Sequence, residues 1–515
     1  MTRASVRAAA AAATVVSLLS GGGTGRAEAH VGRGAIVQDG QAGPYHLVVT
    51  IRPPDVIPGV AAIEVLASDD DVARLSVVPL PLRGEGAASP PLADEARRDA
   101  NDPHLYWSTL WLMQTGTWQV RVNVEGGRGG GDLAVPVPAI ARAVKPMPGW
   151  LTGMLVILLA LIVTGAVAIV GASVREADLP PGASIDRRRM RRGQIAMAVC
   201  AVVLALAIVG GRRWWNAEAR AYRRMVYKPL EAGATVHDGL LALSIVEPGW
   251  LRWRRTDDLV PEHGHLMHLF AIRTPGLDAV AHLHPRLGDA ARFVQSLPPS
   301  GSLPAGSYRL FGDIVHVTGL DETVTTDVDL TPDSLASAVP AVMDPDDAWA
   351  TIPQAASAAS PSFAFPDGSG ALRWEGPESI PAGRTVSLAF ALSGPRAGHA
   401  VNGVEPGTEP GDGPGVRPYI EPYMGMAGHA MIVAGDLSIF AHVHPTGSVP
   451  MAALALVPGA APMDHSHHVG MRFPPLVRFP YNFPRAGDYR VFVQIKTRGK
   501  IETAAFDVSI RAPQS

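Results

Sequence analysis

Cysteine is nearly missing from this sequence. Its 515 residues contain one, Cys200, and that residue lies inside an apolar run. A disulfide framework and a cysteine-based zinc site are therefore both excluded, and any soft metal ligand has to be methionine or histidine. Charge is scarce and close to balanced. Charged residues make up 18% and the formal net charge is -3, so there is no basic surface to suggest a nucleic-acid partner. The 46 prolines and 54 glycines follow no short period, which argues against a collagen-like chain or a helical bundle and for many turns between short strands. Nucleotide, phosphate and nucleophile-elbow motifs are absent as well.

Apolar residues, by contrast, reach 47%, and some of them are concentrated in long runs. Residues 1–29 read as a cleavable secretory signal: a basic start, a short apolar stretch and a small-x-small end at Ala27-Glu28-Ala29. Cleavage there leaves His30 first, where a terminal amine and an imidazole could chelate a metal together. Two further runs, 150–173 and 194–211, are long enough to cross a bilayer. The loop 174–193 between them carries Arg187, Arg188, Arg189, Arg191 and Arg192, which the positive-inside rule assigns to the cytoplasm. With the signal peptide, this puts both the segment before the first span and everything after the second outside the cytoplasm. Residues 212–230 form a basic juxtamembrane segment, with Trp150, Trp214 and Trp215 where interfacial aromatics are expected.

Residues 30–143 alternate apolar and polar positions in short runs bounded by turn residues, the pattern of a β-sandwich. The phrases AGPYHLVVTIRPPDVIPGVAAIEV and TGTWQVRVNVEG resemble YtkA-like and FixH-like extracytoplasmic modules and, more distantly, CopC-type copper-resistance sandwiches. CopC-type proteins hold their metal on an N-terminal His and further histidines; only His30 matches that pattern here.

The C-terminal region is duplicated. HGHLMHLFAIRTPGLDAVAHLHP begins at His263, and MGMAGHAMIVAGDLSIFAHVHP begins at Met424. At a constant spacing of 161, His263, His265 and His268 fall on Met424, Met426 and His429; at 160, His282 and His284 fall on His442 and His444. PAGSYRLF later matches RAGDYRVF. The expected units are a β-domain at 231–335, an Ala/Ser/Pro-rich linker at 336–366 and a second β-domain at 367–511, whose extra residues include MDHSHH at 463–468. The predicted fold is mainly β: three extracytoplasmic Ig/cupredoxin-like sandwiches plus two transmembrane helices.

Within each copy the spacing reads as a hairpin. Residues two apart on a strand share a face, so His282 and His284 point the same way, and folding at the turn brings His268 opposite one of them. Three imidazoles on that face can converge on one ion, and His429, His442 and His444 repeat the triangle. His263 and His265, or Met424 and Met426, are candidate further ligands. The exchange of His for Met suits copper, with zinc or nickel as alternatives. Tyr308 and Tyr489 read as sandwich corner tyrosines. Asp327 and Asp507 sit either on the surface or behind a ligand histidine. The repeat resembles uncharacterised bacterial secreted modules built on AHLHP and AGxYRxF, which look cupredoxin-like, although a blue-copper centre is excluded without a cysteine.

Three function classes remain. The first is a non-enzymatic, membrane-anchored protein that binds copper for buffering, resistance or delivery, with a metal exporter or an oxidase-assembly system as partner. The second is a metal-dependent oxidoreductase or hydrolase using a three-His site. The third is an assembly protein whose histidine networks are structural.

Overall fold

The computed structural model describes residues 34–83, 86, 89–180, 182–250, 254–288, 292–336, 343–394, 418–458 and 471–513. The expected signal peptide, His30 and MDHSHH lie outside these residues. The described chain is mainly strand, arranged in several sheets, together with two long apolar helices.

Strands Ile36–Ala42 to Gly129–Ala139 form a five-stranded and a four-stranded sheet, and their alternating apolar residues enclose one core, including Tyr45, Leu47, Ile63, Val77 and Val122. Helices Gly149–Glu176 and Arg187–Met225 then run as a hairpin, packed where Gly171 meets Met197 and Gly193 meets Arg175. Their most apolar windows have mean hydropathy 2.8 and 2.4, and outward side chains such as Leu161 and Leu206 are exposed. By length and composition, both helices are able to cross a membrane. The second extends further at both ends than its apolar stretch: the arginines at 187–192 are helical, with the Asp186 side chain accepting from Arg189 N–H.

Chain order is preserved between the duplicated units. In the first, Asp321–Leu330, Gly306–His316, His268–Arg273 and Ala279–Leu283 pair in sequence; in the second, Lys500–Arg511, Gly487–Thr497, His429–Ala434 and Phe440–Val443 do the same. Each of these sheets covers a second, four-stranded sheet. Tyr308 donates to the Pro304 carbonyl at 2.7 Å and Tyr489 to the Arg485 carbonyl at 2.9 Å, the corner-tyrosine bond to backbone a few residues upstream. The stretch expected to be a linker contributes strands instead. Ala348–Thr351 extends the first unit's sheet, and Ser362–Ala364 joins the second's.

The two His-bearing sheets pack face to face. Phe270, Ile272, Val280 and Phe311 from the first unit meet Met431, Val433, Phe440 and Phe492 from the second in one apolar layer. These sheets are therefore buried on both faces, which explains why HLFAIR and HAMIVA are continuously apolar where a half-buried strand would alternate.

The N-terminal module lies against both units. Asp39 N–H donates to the Thr446 carbonyl and Ser448 N–H to the Val37 carbonyl. Gly447 sits between them with φ +120, and a Cβ there would come within 2.1 Å of the Val37 carbonyl, so only glycine allows this approach. At the exit of the second helix, Tyr227 N–H donates to the Ala141 carbonyl and Trp250 Nε1–H to the Met225 carbonyl. The β-rich parts before and after the hairpin are thus joined at its open end.

Candidate metal centre

The hairpin register sets the geometry of the histidines. Phe270 pairs with His282 in the first unit and Met431 with His442 in the second, so the next same-face pairs are His268 beside His284 and His429 beside His444. All of them point away from their own sandwich core and into the layer between the units. Candidate ligand nitrogens of His268, His282 and His284 lie within 4.8 Å of one another, and the same holds for His429, His442 and His444.

Hydrogen bonds fix which nitrogens carry protons. His268 Nε2 lies 3.1 Å from the Glu262 carbonyl, which can only accept, so the proton sits on Nε2 and Nδ1 is bare. His282 Nδ1 lies 2.9 Å from Gln494 Oε1 and 3.3 Å from the Tyr423 hydroxyl. That hydroxyl already donates to the Asp346 carbonyl at 2.8 Å, so it accepts from His282, and His282 Nε2 is bare as well. The two bare nitrogens, His268 Nδ1 and His282 Nε2, face each other at 3.0 Å. His284 Nδ1 donates to Asp347 Oδ1 at 3.0 Å, which leaves its buried Nε2 with no hydrogen-bond partner among the described residues.

The second unit repeats the spacing with longer contacts behind the rings. His429 Nε2 lies 3.4 Å from the Tyr423 carbonyl and His442 Nδ1 lies 3.7 Å from Asp313 Oδ2. Their other nitrogens, His429 Nδ1 and His442 Nε2, face each other at 3.0 Å. His444 Nε2 stands 4.0 Å from Glu262 Oε1. For comparison, nitrogens about 2 Å from one tetrahedral ion are separated by roughly 3.3 Å.

The upstream pairs occupy matching tight turns. Glu262 pairs with His265 and Tyr423 with Met426, and the intervening His263 and Met424 have φ 51 and 49, each followed by a left-handed glycine. His265 packs on His284 with ring centroids 4.0 Å apart and planes tilted by 31°, and lies 3.8 Å from Asp344. His263 leans toward the second unit, its centroid 5.5 Å from His429 and 5.4 Å from His444. Met424 and Met426 are buried at the corresponding positions.

Asp327 and Asp507 do not stand behind a histidine; they pair with Arg309 and Arg490 on the same face, at the end of the inter-unit layer away from the imidazoles, where Arg490 also donates to the Leu277 carbonyl of the first unit. The groups that do are Asp347, Gln494, Tyr423 and Asp313. Of these, Asp347 lies in the acidic run DPDD, and that run between Ala-rich stretches is the one signal that marks it in the sequence. A cavity of about 60 Å³ adjoins the second triad, walled in part by Glu262, Asp313, His442 and His444.

Burial keeps these imidazoles neutral. It pushes His282 down to about 3 and His444 to about 4, and holds His268, His284, His429 and His442 well below the usual histidine range. Burial also raises the Asp347 carboxyl to about 6, against hydrogen bonds from the His284 backbone and Gln295. Neutral imidazole is the form that binds a metal.

Residues 412–512, which contain the whole second triad, match a family described as Domain of unknown function (DUF8832). No curated protein matches the sequence. Among solved structures the chain is similar to the tetra-tandem repeat in the extending region of a large adhesion protein (7% identity, TM-score 0.16, covering 89% of this chain and 72% of that one). It is also similar to Escherichia coli alpha-2-macroglobulin in its native conformation (8%, 0.21, covering 91% and 22%). A third is a putative membrane anchored protein from Corynebacterium diphtheriae (10%, 0.13, covering 93% and 96%). Likeness at these scores carries no argument about fold or function.

Proposed function

We propose that this protein is a membrane-anchored, extracytoplasmic binder of a transition metal, copper first, that buffers the ion or passes it to a partner such as an exporter or an oxidase-assembly system. In this reading the chain comprises three β-sandwich domains on the outer face of the inner membrane, held there by the two-helix hairpin. The junction between the N-terminal module and the repeats supports one shared side for both.

One observation carries the metal assignment. In both units two buried imidazole nitrogens face each other at 3.0 Å, and in the first unit each of these rings has an acceptor on its other nitrogen, which leaves the facing pair unprotonated. Two lone pairs repel at that distance, and a cation between them turns the repulsion into ligation. Ligand histidines elsewhere are oriented in this way, with the second ring nitrogen donating to a carbonyl, an amide or a carboxylate. A donor set of nitrogen, with methionine at the matching turn, suits copper and leaves zinc and nickel as the other ions to load.

The test is a calorimetric titration of the full chain in detergent with copper. Two ions should bind. The triple variant His268→Ala, His282→Ala, His284→Ala should lose one of them, and His429→Ala, His442→Ala, His444→Ala should lose the other. Unchanged stoichiometry in both variants contradicts the assignment and leaves the structural reading of the histidines.

A further inference from the structure

We infer that the two triads form one dinuclear centre spanning the two units, not two independent sites. The inference rests on the metal-binding reading above and adds to it the distance between the ions and the dependence of each on the other unit.

Ring spacing is the first observation. Within a triad, centroids lie between 4.5 Å (His442 and His444) and 5.3 Å (His268 and His282). Between triads, His268 lies 5.3 Å from His442, His282 lies 5.7 Å from His442 and His282 lies 6.0 Å from His429. No layer of other side chains separates the two groups. The exchange of the first and second units carries the pair His268 and His442 onto His429 and His282, so an approximate two-fold axis passes between His282 and His442. With metal–nitrogen bonds of about 2 Å, rings in such contact hold two ions within roughly 10 Å of each other.

The second observation is that supporting groups cross the axis. Gln494 and Tyr423 of the second unit hold His282 of the first, while Asp313 of the first unit stands behind His442 of the second. His263 and Glu262, from the first unit's turn, form a candidate ligand group with His444 of the second. Each triad takes its three imidazoles from one unit but the groups behind them from the other, so the setting of each ion depends on both units. Phe270, Phe311 and Phe440 continue the same contact as an apolar layer, with Phe311 stacked on Phe440 at 4.3 Å, so the centre is shielded on that flank.

Electron paramagnetic resonance of the full chain in detergent, loaded with two equivalents of Cu(II), tests this. A coupled pair gives a broadened spectrum with a half-field transition. Wild type carrying half an equivalent should give a sharper spectrum with less of that feature. His442→Ala carrying one equivalent should give a single axial spectrum without it, and the half-equivalent wild-type sample serves the same purpose if that variant does not fold. Two bound ions with two full, uncoupled axial spectra overturn the dinuclear centre and leave the metal-binding reading intact. Absence of any bound copper overturns both.

Discussion

The Gln494→Leu substitution separates a cross-unit site from two self-contained ones. Gln494 is fully buried on the second unit's strand Gly487–Thr497, in register with His429. Its Oε1 nevertheless accepts from His282 of the first unit at 2.9 Å, while its Nε2 donates to Thr503 at 3.2 Å. Leucine keeps the volume approximately and removes the acceptor, so the proton of His282 is no longer directed away from the ion. Loss of such an outer partner costs about 10- to 100-fold in metal affinity, or about 1.4 to 2.7 kcal/mol. The Tyr423 hydroxyl still accepts from the same nitrogen at 3.3 Å, which places the single variant near the tenfold end. Adding Tyr423→Phe should bring the loss toward about a hundredfold. Competition against a chromophoric chelator reads both affinities, and the larger loss should fall on the ion in the first triad, although the substitution is in the second unit. Wild-type affinity at that triad, or a loss confined to the second, refutes the reasoning.

Three further outcomes follow from the same geometry. In the metal-free protein the buried histidines have depressed folded-state pKa values, with His282 at about 3 and His444 at about 4, so below about 6.5 the unfolded chain takes up protons that the folded chain refuses. Stability should fall as pH drops from about 6.5, by up to about 1.4 kcal/mol per pH unit for each such histidine, while the folded chain, whose imidazoles stay neutral, keeps its copper affinity until the pH approaches about 4; denaturant unfolding with equal midpoints at pH 7 and pH 5.5 would contradict this. Phe440→Ala opens the layer between the units, where Phe440 stacks on Phe311 and leans on Phe270, and should cost about 3 to 5 kcal/mol by chemical denaturation. Gly428 precedes His429 at φ +152, and a Cβ there would come within 2.5 Å of the Gln494 carbonyl, so Gly428→Ala should destabilise by about 1 to 3 kcal/mol and weaken the second ion, whereas Gly383→Ala, with nothing near its Cβ, should show strain without loss of metal.

Much of the site is legible in the sequence because strand geometry is local. The two-residue spacing in AHLHP and AHVHP, with a short turn behind it, is enough to put His268 beside His284 and His429 beside His444. The corner tyrosines follow from the same logic, since the bond runs only four residues back. The meeting of the two triads is not local. Nothing in a separation of 160 residues says that two sheets pack face to face. The available hint was the lack of alternation in HLFAIR and HAMIVA, which a strand shows when both faces are covered. Asp344 and Asp347 were hidden by composition: flanked by Ala, Ser and Pro they read as linker, yet the segment turns back to place Asp347 against His284 and then pairs as strand Ala348–Thr351. Asp327 and Asp507 show the converse, since a shared position in both copies marks a shared arginine partner at the far end of the inter-unit layer, not a ligand histidine.

Anomalous diffraction at the copper edge from crystals of the loaded full chain tests the central assignment most directly. Two peaks are predicted, one within bonding distance of His268 Nδ1, His282 Nε2 and His284 Nε2, the other of His429 Nδ1, His442 Nε2 and His444 Nε2. A map with copper bound elsewhere, and none at either cluster of imidazoles, would contradict it.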